Sequence, residues 1–481
     1  MKNPWGKYKG RDSMKTSNNE EMMQAGGKPP GFLYKILRLF TVIQPGEAMT
    51  AFLLMLNVFL LLTAYYIIKP VREGLILAGK GAEWKSYLSA AIAVLLIFVV
   101  KIFSNIASRL PRQKLITWVT LFFISNLVIF YALSLTEIEL GTMGIIFFIW
   151  MGIFNVMVIA QFWGFASDIY TPKAGKRLFP LIAFGATFGA FSGSAIAYWL
   201  VIPLGLYQMM LVAGGILGIC ILLTWITHMR EMKRAESTAA EVSQEEEAGK
   251  KEQEKPLEKG GAFRLVFKKR YLLYIALLVL LLNFINTNGE YMLGEYVTRT
   301  AKEAVEMGTA GGLSLEEFIG KFYAGFMKYF NLAALLIQLF LVSRIFKWFG
   351  VRIALLFLPI IALGGYFFIS LGASLMLVHW VKVAENGTDY SLMNTTRHSL
   401  FLITSREEKY KAQAVIKTFF QRAGDVSSAL IVFLGTTYLA FNTERFAGLN
   451  IVLIIIMLFM CFLIMKEHKK LSANRTEHQP V

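Results

Sequence analysis

The sequence predicts an all-α integral membrane protein with twelve transmembrane helices in two pseudo-repeated six-helix halves. The 481-residue chain is 56% hydrophobic with a mean hydropathy of +0.53, and only 17% of its residues are charged, against roughly 25% in an average soluble domain. Apolar runs of about 20 residues, long enough to cross a bilayer as helices, recur from Ala48 almost to the C-terminus. One long polar segment divides these runs into two equal sets.

The apolar runs define six expected spans on each side of the polar segment. Their approximate limits are 48–68, 86–107, 115–135, 142–167, 178–200, 204–228, 271–297, 322–346, 351–371, 373–396, 413–440 and 447–465. The N-terminal tail has no apolar core followed by a small-residue cleavage site, so we expect no signal peptide.

Lysine and arginine accumulate in alternate loops, as they do on the cytoplasmic side of membrane proteins. The N-terminal tail has eight bases. The loops after spans 2, 4 and 8 contain Arg109, Arg112 and Lys114, then Lys173, Lys176 and Arg177, and then Arg344, Lys347 and Arg352. The TEIELG loop after span 3 has two acids and no base. Both termini are therefore expected in the cytoplasm and the protein in the inner (plasma) membrane. Topology explains most of the net charge of +17, so no nucleic-acid partner is expected.

These signals divide the chain into five regions. We expect a cytoplasmic tail with an interfacial helix at 1–47, a six-helix half at 48–229, a disordered cytoplasmic linker at 230–261, a second half with its own leading interfacial helix at 262–466, and a cytoplasmic tail at 467–481. The linker is rich in Glu, Lys and Gln and nearly lacks apolar residues, a composition typical of disorder. The leading segments GFLYKILRLF and AFRLVFKKRY alternate bases with apolar residues, which favours a position on the membrane surface.

Two separated correspondences indicate an internal repeat. Ser108-Arg109 and Ser343-Arg344 stand 235 positions apart at equivalent ends of spans 2 and 8. The segments Gly175–Ala195 and Lys409–Ala429 can be aligned at a separation of 234. Two such halves joined by a long cytoplasmic loop are typical of the major facilitator architecture. The loop after span 2 has Arg109, Arg112 and Lys114 of that superfamily's signature but lacks its glycine and aspartate, which argues against an ordinary sugar or drug permease.

Ionisable residues inside the spans indicate where function lies, because charge at membrane depth is costly and normally faces a cavity or a partner. Span 1 ends in Lys69, Arg72 and Glu73, and Lys69 and Arg72 share a face if the helix continues through Pro70. This cluster alone fits a snorkelling interfacial anchor as well as a site.

The second half carries three more sets of polar residues. Span 7 has Asn283, Asn286 and Glu290 at the spacing of one helical face. Span 10 has Lys382, Glu385, Asn386, Asp389, Tyr390 and Arg397, and some of these, such as Lys382 with Glu385, are expected to form an internal charge network. Span 11 has Lys417 and the pair Arg422 and Asp425, for which a structural ion pair is the favoured interpretation.

Bases from both halves predict an anionic organic substrate, since arginine binds phosphate and carboxylate bidentately. These bases are Lys69, Arg72, Lys382, Arg397 and Lys417. The histidines and cysteines have no metal-ligand spacing, and no nucleophile and base stand at plausible spacing. We therefore expect no metal, no cofactor and no enzymatic activity. A membrane scaffold that acts through its linker is the remaining alternative of a different class.

Three segments resemble the nucleotide transporters typified by the ATP/ADP translocases of plastids and obligate intracellular bacteria. AYYIIKPVREGLIL is similar to the end of that family's helix 1, FWGFASDIYTPKAGKRLFPLIAFGA to its passage from helix 4 to helix 5, and DYSLMNTTRHSLFLI to the end of its helix 10. Two basic positions of the family fall on Arg72 and Arg397, where it has lysine, and its helix 7 glutamate falls on Glu290. His398 replaces an acid, and the acid of helix 4 has no counterpart in Met151–Asn155.

The resemblance implies ATP/ADP-type exchange by alternating access, with the nucleotide and the lipid bilayer as the only partners of a monomer. Arg72 and Arg397 would bind phosphates from opposite halves, with Lys69 and Lys382 adding positive potential. Glu290 and Asn286 would orient the substrate or oppose a base. The alternative is a proton-coupled major facilitator permease for another organic anion, with Glu290, Glu385 or Asp389 as proton carrier. Lys417, Arg422 and Asp425 complete the expected proton or charge network.

Overall fold

The computed structural model describes residues 47–107, 111–242, 261–405 and 408–477, and every regular element in these ranges is helical. The first helix group lies before the linker. Its members are α1 (Glu47–Gly79), α2 (Ala82–Ala107), α3 (Arg112–Ser134), α4 (Leu140–Ile169), α5 (Pro172–Leu204) and α6 (Gln208–Val242). Helix α1 continues through Pro70, so Lys69 and Arg72 do share a helical face.

The second helix group follows the linker and is more segmented. It begins with the short helix α7 (Ala262–Lys268), followed by α8 (Arg270–Glu306), α9 (Leu315–Leu336), α10 (Val342–Ala354), α11 (Phe357–Ser370), α12 (Leu375–Thr388), α13 (Asn394–Leu400), α14 (Gln413–Val415), α15 (Gln421–Thr437) and α16 (Thr443–Glu477). Wider π-helical turns interrupt the α-helices at Ile337–Leu341, Asp389–Met393, Glu408–Ala412 and Ile416–Phe420, and a 3-10 turn lies at Phe401–Ile403.

Nine helices of the described ranges are long and apolar enough to cross a membrane, and the protein is a multi-pass membrane protein. The difference from the twelve expected spans lies in the second group. The backbone leaves helical geometry at Gly350, between the end of span 8 and the start of span 9, and the remainder of span 9 is the shorter apolar helix Phe357–Ser370. Spans 10 and 11 are divided by π-helical turns, which often mark functional sites.

The predicted linker begins too early. Residues 230–242 continue α6 as helix, because the MREMKRAESTAAEV segment is composed largely of Met, Glu, Lys, Arg and Ala, which are strong helix formers. A high proportion of charged residues was therefore a poor indicator of where the helix ends. The rest of the linker and the N-terminal interfacial helix lie outside the described residues, whereas α7 coincides with the second predicted interfacial segment.

Helix α1 is the centre of the first group, with 72% of its apolar stretch buried. A stripe of glycines on α5 allows the two helix backbones to touch. A Cβ atom added at any of these glycines would collide with a carbonyl of α1, and the facing pairs are Gly185 with Met55, Gly189 with Phe59 and Gly193 with Thr63. Small residues at four-residue spacing are a common basis of close helix packing in membranes.

The two helix groups meet at one end of the bundle, the end at which α1, α5 and α15 finish. Three contacts join the groups between this end and the middle of the bundle. Asn331 of α9 donates from Nδ2 to Oγ of Ser194 at 3.3 Å, the Lys328 amine lies 3.8 Å from the Tyr198 ring centroid, and the Tyr87 and Phe433 rings meet edge to face. We call this the closed end. At the opposite end a broad cavity separates α4 and α5 from His398 of α13.

Candidate functional site

A cavity of about 270 Å³ lies between the two helix groups. We call it the central cavity. Helices of both groups contribute its charged residues, which are Lys69, Arg72, Glu73, Lys85, Glu290, Arg422 and Asp425. Four cations and three carboxylates therefore face the same space. Asn155, in the Met151–Asn155 region of α4 that has no acid, also lies in this wall and contributes an amide.

Glu73 is the acid around which the first group's charges assemble. Its side chain is 1% exposed and forms an ion pair with the guanidinium of Arg72, its neighbour on α1. Oε2 of the same carboxylate lies 2.9 Å from the amine of Lys85 on α2. The Arg72 guanidinium also lies 4.5 Å from the Phe148 ring centroid. Glu73, which had no explanation in the sequence, thus neutralises and orients two bases of the cavity wall.

Lys85 connects the two helix groups. Besides Glu73, its amine lies 3.1 Å from Oε2 of Glu290 on α8 and 4.9 Å from the centroid of the Tyr323 ring on α9. The other oxygen of Glu290 accepts a hydrogen bond from the Asn386 amide at 3.2 Å. Glu290 therefore faces a base across the interface between the groups, and that base is Lys85.

Lys69 differs from the other bases of the central cavity because its amine has no carboxylate partner within the described ranges. Its surroundings are aromatic. Ring centroids lie at 5.1 Å for Tyr66, 5.9 Å for Phe330 and 6.0 Å for Tyr65. The negative faces of aromatic rings stabilise a cation without neutralising its charge. The Lys69 amine therefore lies at the cavity wall among aromatic rings, with no carboxylate of the described residues paired to it.

Arg422 and Asp425 form the predicted ion pair, with Nη1 and Oδ2 at 3.1 Å. Thr287 of α8 donates a further hydrogen bond to Oδ1 of Asp425 at 3.0 Å, so the pair also connects α15 with α8. Close packing of these helices requires Gly424, because a Cβ atom there would lie 2.9 Å from the Cβ of Asn283. The structural interpretation of this pair agrees with its geometry.

A second cavity, of about 440 Å³, adjoins the central one and contains Arg397. Arg397 lies 3.5 Å from Oδ1 of Asp389, and the Lys417 amine lies 3.4 Å from Nε2 of His398. Both cavities share part of their lining, namely Asn283, Asn286, Tyr390 and Gln421. We call these four residues the shared wall. Taken together, the two volumes fall within the roughly 300–1,000 Å³ typical of small-molecule sites.

The structure places Arg72 and Arg397 in adjoining cavities rather than face to face across one. Arg72 lines the central cavity and Arg397 the second. The expectation that both arginines hold the same phosphates from opposite sides therefore needs an elongated substrate that occupies both cavities. Their neighbours, Glu73 and Asp389 respectively, partly neutralise each arginine.

Lys382 belongs to a buried network behind the cavity wall. It is fully buried, and its amine lies 3.0 Å from Oε2 of Glu385. It donates to Oδ1 of Asn286 at 3.2 Å, while Tyr366 donates to Oε2 of Glu385 at 3.1 Å. The predicted Lys382–Glu385 pair is therefore present. Lys382 reaches the site through Asn286, since its own side chain is absent from the cavity lining in the described part of the chain.

Lys85 is the site residue that the sequence reasoning missed. It stands one residue before the predicted start of span 2, in the segment AEWKSYL, where a base is easily taken for a loop charge. The available signal was Glu73 on the preceding helix, an acid at membrane depth for which the sequence alone offered no specific role. A buried carboxylate requires a base, and Lys85 is the nearest base after the turn that follows α1.

Comparisons with known proteins agree with the predicted resemblance. The TLC ATP/ADP transporter family matches residues 142–474. The ADP,ATP carrier protein 1 of Chlamydia pneumoniae is 24% identical over 312 residues, which are 58% of this chain. The match spans 57% of the length of that curated relative.

Solved transporter structures share the fold. A bacterial homologue of the human lysosomal transporter Spinster, in an inward-facing and unoccupied conformation, superposes with a TM-score of 0.57 at 15% identity, covering 89% of this chain and 99% of that one. The nucleoside transporter NupG superposes with a TM-score of 0.58 at 12% identity, covering 87% of this chain and 98% of that one. A POT family transporter in complex with 5-aminolevulinic acid superposes with a TM-score of 0.58 at 14% identity, covering 88% of this chain and 96% of that one. The fold is therefore that of the major facilitator-like transporters.

Proposed function

We propose that this chain, which belongs to the TLC ATP/ADP transporter family, exchanges nucleotides across the membrane, ATP for ADP. It is a transporter and not an enzyme. The observation that carries the proposal is the uncompensated charge of the central cavity. Lys69 has no carboxylate partner among the described residues, and the cavity lining has four bases but three acids. An anionic phosphate chain supplies the missing negative charge.

The proposed phosphate site is formed by Lys69 and Arg72 in the central cavity. Phosphate oxygens compete with Glu73 for the Arg72 guanidinium, which can bind them bidentately. Lys85 adds positive potential directly, and Lys382 adds it from behind the wall. Glu290 and Asn286 orient the substrate. Arg397, with Lys417 beside it in the second cavity, contacts the phosphates as the nucleotide passes inward from the wide end of the bundle.

Transport follows from alternating access, in which two six-helix halves rock about the site between them. The proposal includes twelve spans and a pseudo-repeat. Similar amide contacts inside the two groups support it: Asn57 of α1 donates to Thr224 of α6 at 2.8 Å, and Asn288 of α8 donates to Asn450 of α16 at 2.8 Å. In each group, a buried asparagine on the first long helix thus forms a hydrogen bond with the last helix of that group. Contact at the closed end and a wide cavity at the other correspond to one extreme of this motion.

The test is exchange in proteoliposomes that contain the purified protein. Uptake of labelled ATP is expected to saturate and to require ADP inside the vesicles. The double variant Arg72→Gln/Arg397→Gln should lose most of the uptake, while Arg445→Gln, at an exposed position on α16, should retain it. Absence of uptake for every nucleotide would refute the substrate class. Undiminished saturable uptake by the double variant would refute the site assignment.

Proton-coupled transport of another organic anion is the second candidate, and the Glu385 carboxylate favours it. Glu385 is 4% exposed and is held by Tyr366 and Lys382 one step behind the cavity wall, a position typical of proton-carrying acids in transporters. This candidate predicts uptake that is driven by a pH gradient and needs no internal substrate. The same vesicles, loaded with buffer alone, distinguish it from exchange.

A further inference from the structure

The shared wall combines an exposed aromatic ring with amide groups inside an otherwise charged site. Tyr390 is 50% exposed although it lies in the interior between the two helix groups, and it lines both cavities. Its ring is supported from behind by Phe330, with the ring centroids 5.5 Å apart. A tyrosine fixed on one face and open on the other can stack with a planar group.

The amides of the shared wall have unused hydrogen-bonding groups that face the cavities. Asn283 donates from Nδ2 to the Val279 carbonyl at 2.8 Å, which leaves its side-chain carbonyl available. Asn286 accepts from Lys382, which leaves its amide hydrogens available. The Gln421 side chain makes no hydrogen bond within the described ranges, so it offers both a donor and an acceptor.

Such a wall fits a nucleobase better than a sugar or a phosphate. Stacking on aromatic side chains is the common way in which proteins hold bases, and Asn and Gln amides pair with the adjacent donor and acceptor on a purine edge. We infer that the shared wall is a nucleobase site, in which Tyr390 stacks on the base and the amides of Asn283, Asn286 and Gln421 bind its edge. The inference rests on the nucleotide transport proposed above and deepens it.

The shared wall lies between the proposed phosphate site and Arg397. Lys69 and Arg72 lie on the central side of the wall, and Arg397 lies on the other side. A nucleotide whose base lies at the wall can extend its phosphates toward Lys69. The base site is thereby independent of the phosphate site, and each can be tested without the other.

The test measures binding rather than transport, so that inactive variants remain informative. The affinities of the purified protein for ATP, GTP and inorganic tripolyphosphate are obtained from ligand-dependent thermal unfolding in detergent. Tyr390→Leu is expected to weaken ATP binding by about tenfold or more and to leave tripolyphosphate binding unchanged. Tyr390→Phe, which keeps the ring, is expected to bind ATP as the wild type does. Gln421→Leu is expected to change the ratio of ATP to GTP affinity by roughly fivefold, whereas Gln338→Leu, at an exposed position, is not.

Three results would overturn the inference. The first is that the wild type binds tripolyphosphate as strongly as it binds ATP. The second is that Tyr390→Leu weakens the binding of ATP and of tripolyphosphate equally. The third is that Tyr390→Leu binds ATP with the affinity of the wild type. Stabilisation of the wild type by no nucleotide at all would instead refute the proposed function. An unchanged ATP to GTP ratio in Gln421→Leu would overturn the role of the amides.

Discussion

Among the bases of the central cavity, Lys69 is the one whose amine can gain most from pairing with a substrate phosphate. Arg72 and Lys85 both have the Glu73 carboxylate, and Arg422 has Asp425. Lys69 has only aromatic rings. A hydrogen bond to a charged group contributes about 1.5–3 kcal/mol, and a base that gives up no existing ion pair keeps most of that gain on binding. Lys69 should therefore contribute more to nucleotide affinity than the neighbouring bases that already have carboxylate partners.

Lys69→Gln is expected to raise the KM for nucleotide on the order of tenfold or more, because it removes an unpaired positive charge from the phosphate site. Lys69→Arg should retain much of the affinity, since the charge stays. The measurement is the concentration dependence of ATP exchange in proteoliposomes. Lys470→Gln, at an exposed position of α16 where the lysine pairs with Glu467, is the control. Equal KM values for Lys69→Gln and the wild type would contradict this role.

At the scale of single residues, sequence reasoning identified charges that lie in the site but did not identify their pairing. Lys69, Arg72 and Glu290 were predicted from their position at membrane depth, and all three line the central cavity. Lys85 was missed, and Glu73 could not be explained without it. Partners on different helices cannot be read from spacing within one helix, because their proximity depends on how the helices pack.

At the scale of the element, a helix interruption decides which cavity a side chain enters. In a continuous α-helix, Lys382, Asn386 and Arg397 of span 10 would lie along one face. The structure inserts a π-helical turn at Asp389–Met393, and an extra residue in a helix rotates everything after it by about 100°. Arg397 accordingly lines the second cavity rather than the central one. Hydropathy indicates where a helix crosses the membrane but contains little information on such a change of hydrogen bonding.

The glycine stripe of α5 gives a stability prediction for one element. Gly189→Ala is expected to lower stability by about 1–3 kcal/mol, because the new methyl group collides with the backbone of Phe59 and overpacks the interface. Gly218→Ala on α6, where no atom lies within 4 Å of the added Cβ, should instead gain up to about 1 kcal/mol from helix propensity. Thermal unfolding of both variants in the same detergent measures the difference. Equal effects at the two positions would refute the packing argument.

At the scale of the whole molecule, the ion pair between Lys85 and Glu290 is a connection that the proposed alternating-access cycle would have to break. Lys85 belongs to the first helix group and Glu290 to the second, and the two atoms are 3.1 Å apart near the closed end. Rocking of the halves separates groups that meet at that end. The substrate can favour this step because its phosphates compete with Glu290 and Glu73 for the nearby bases. In that cycle this pair is one of the contacts whose free energy favours the conformation closed at that end.

Lys85→Met is expected to shift the empty carrier toward the conformation that is closed at the opposite end. A loss of about 1.4 kcal/mol in the contact changes the ratio of the two conformations tenfold. Spin labels on Ser167→Cys and Thr418→Cys, both exposed and on different groups, report the change as a larger population of short distances. Lys80→Met is the matched control, since it breaks an ion pair of 2.8 Å to Glu139 inside the first group. If Lys85→Met does not fold, Glu290→Gln breaks the same connection from the other side and should give the same shift. Identical distance distributions for the wild type, the control and the connecting-pair variants would mean that other contacts hold the closed end.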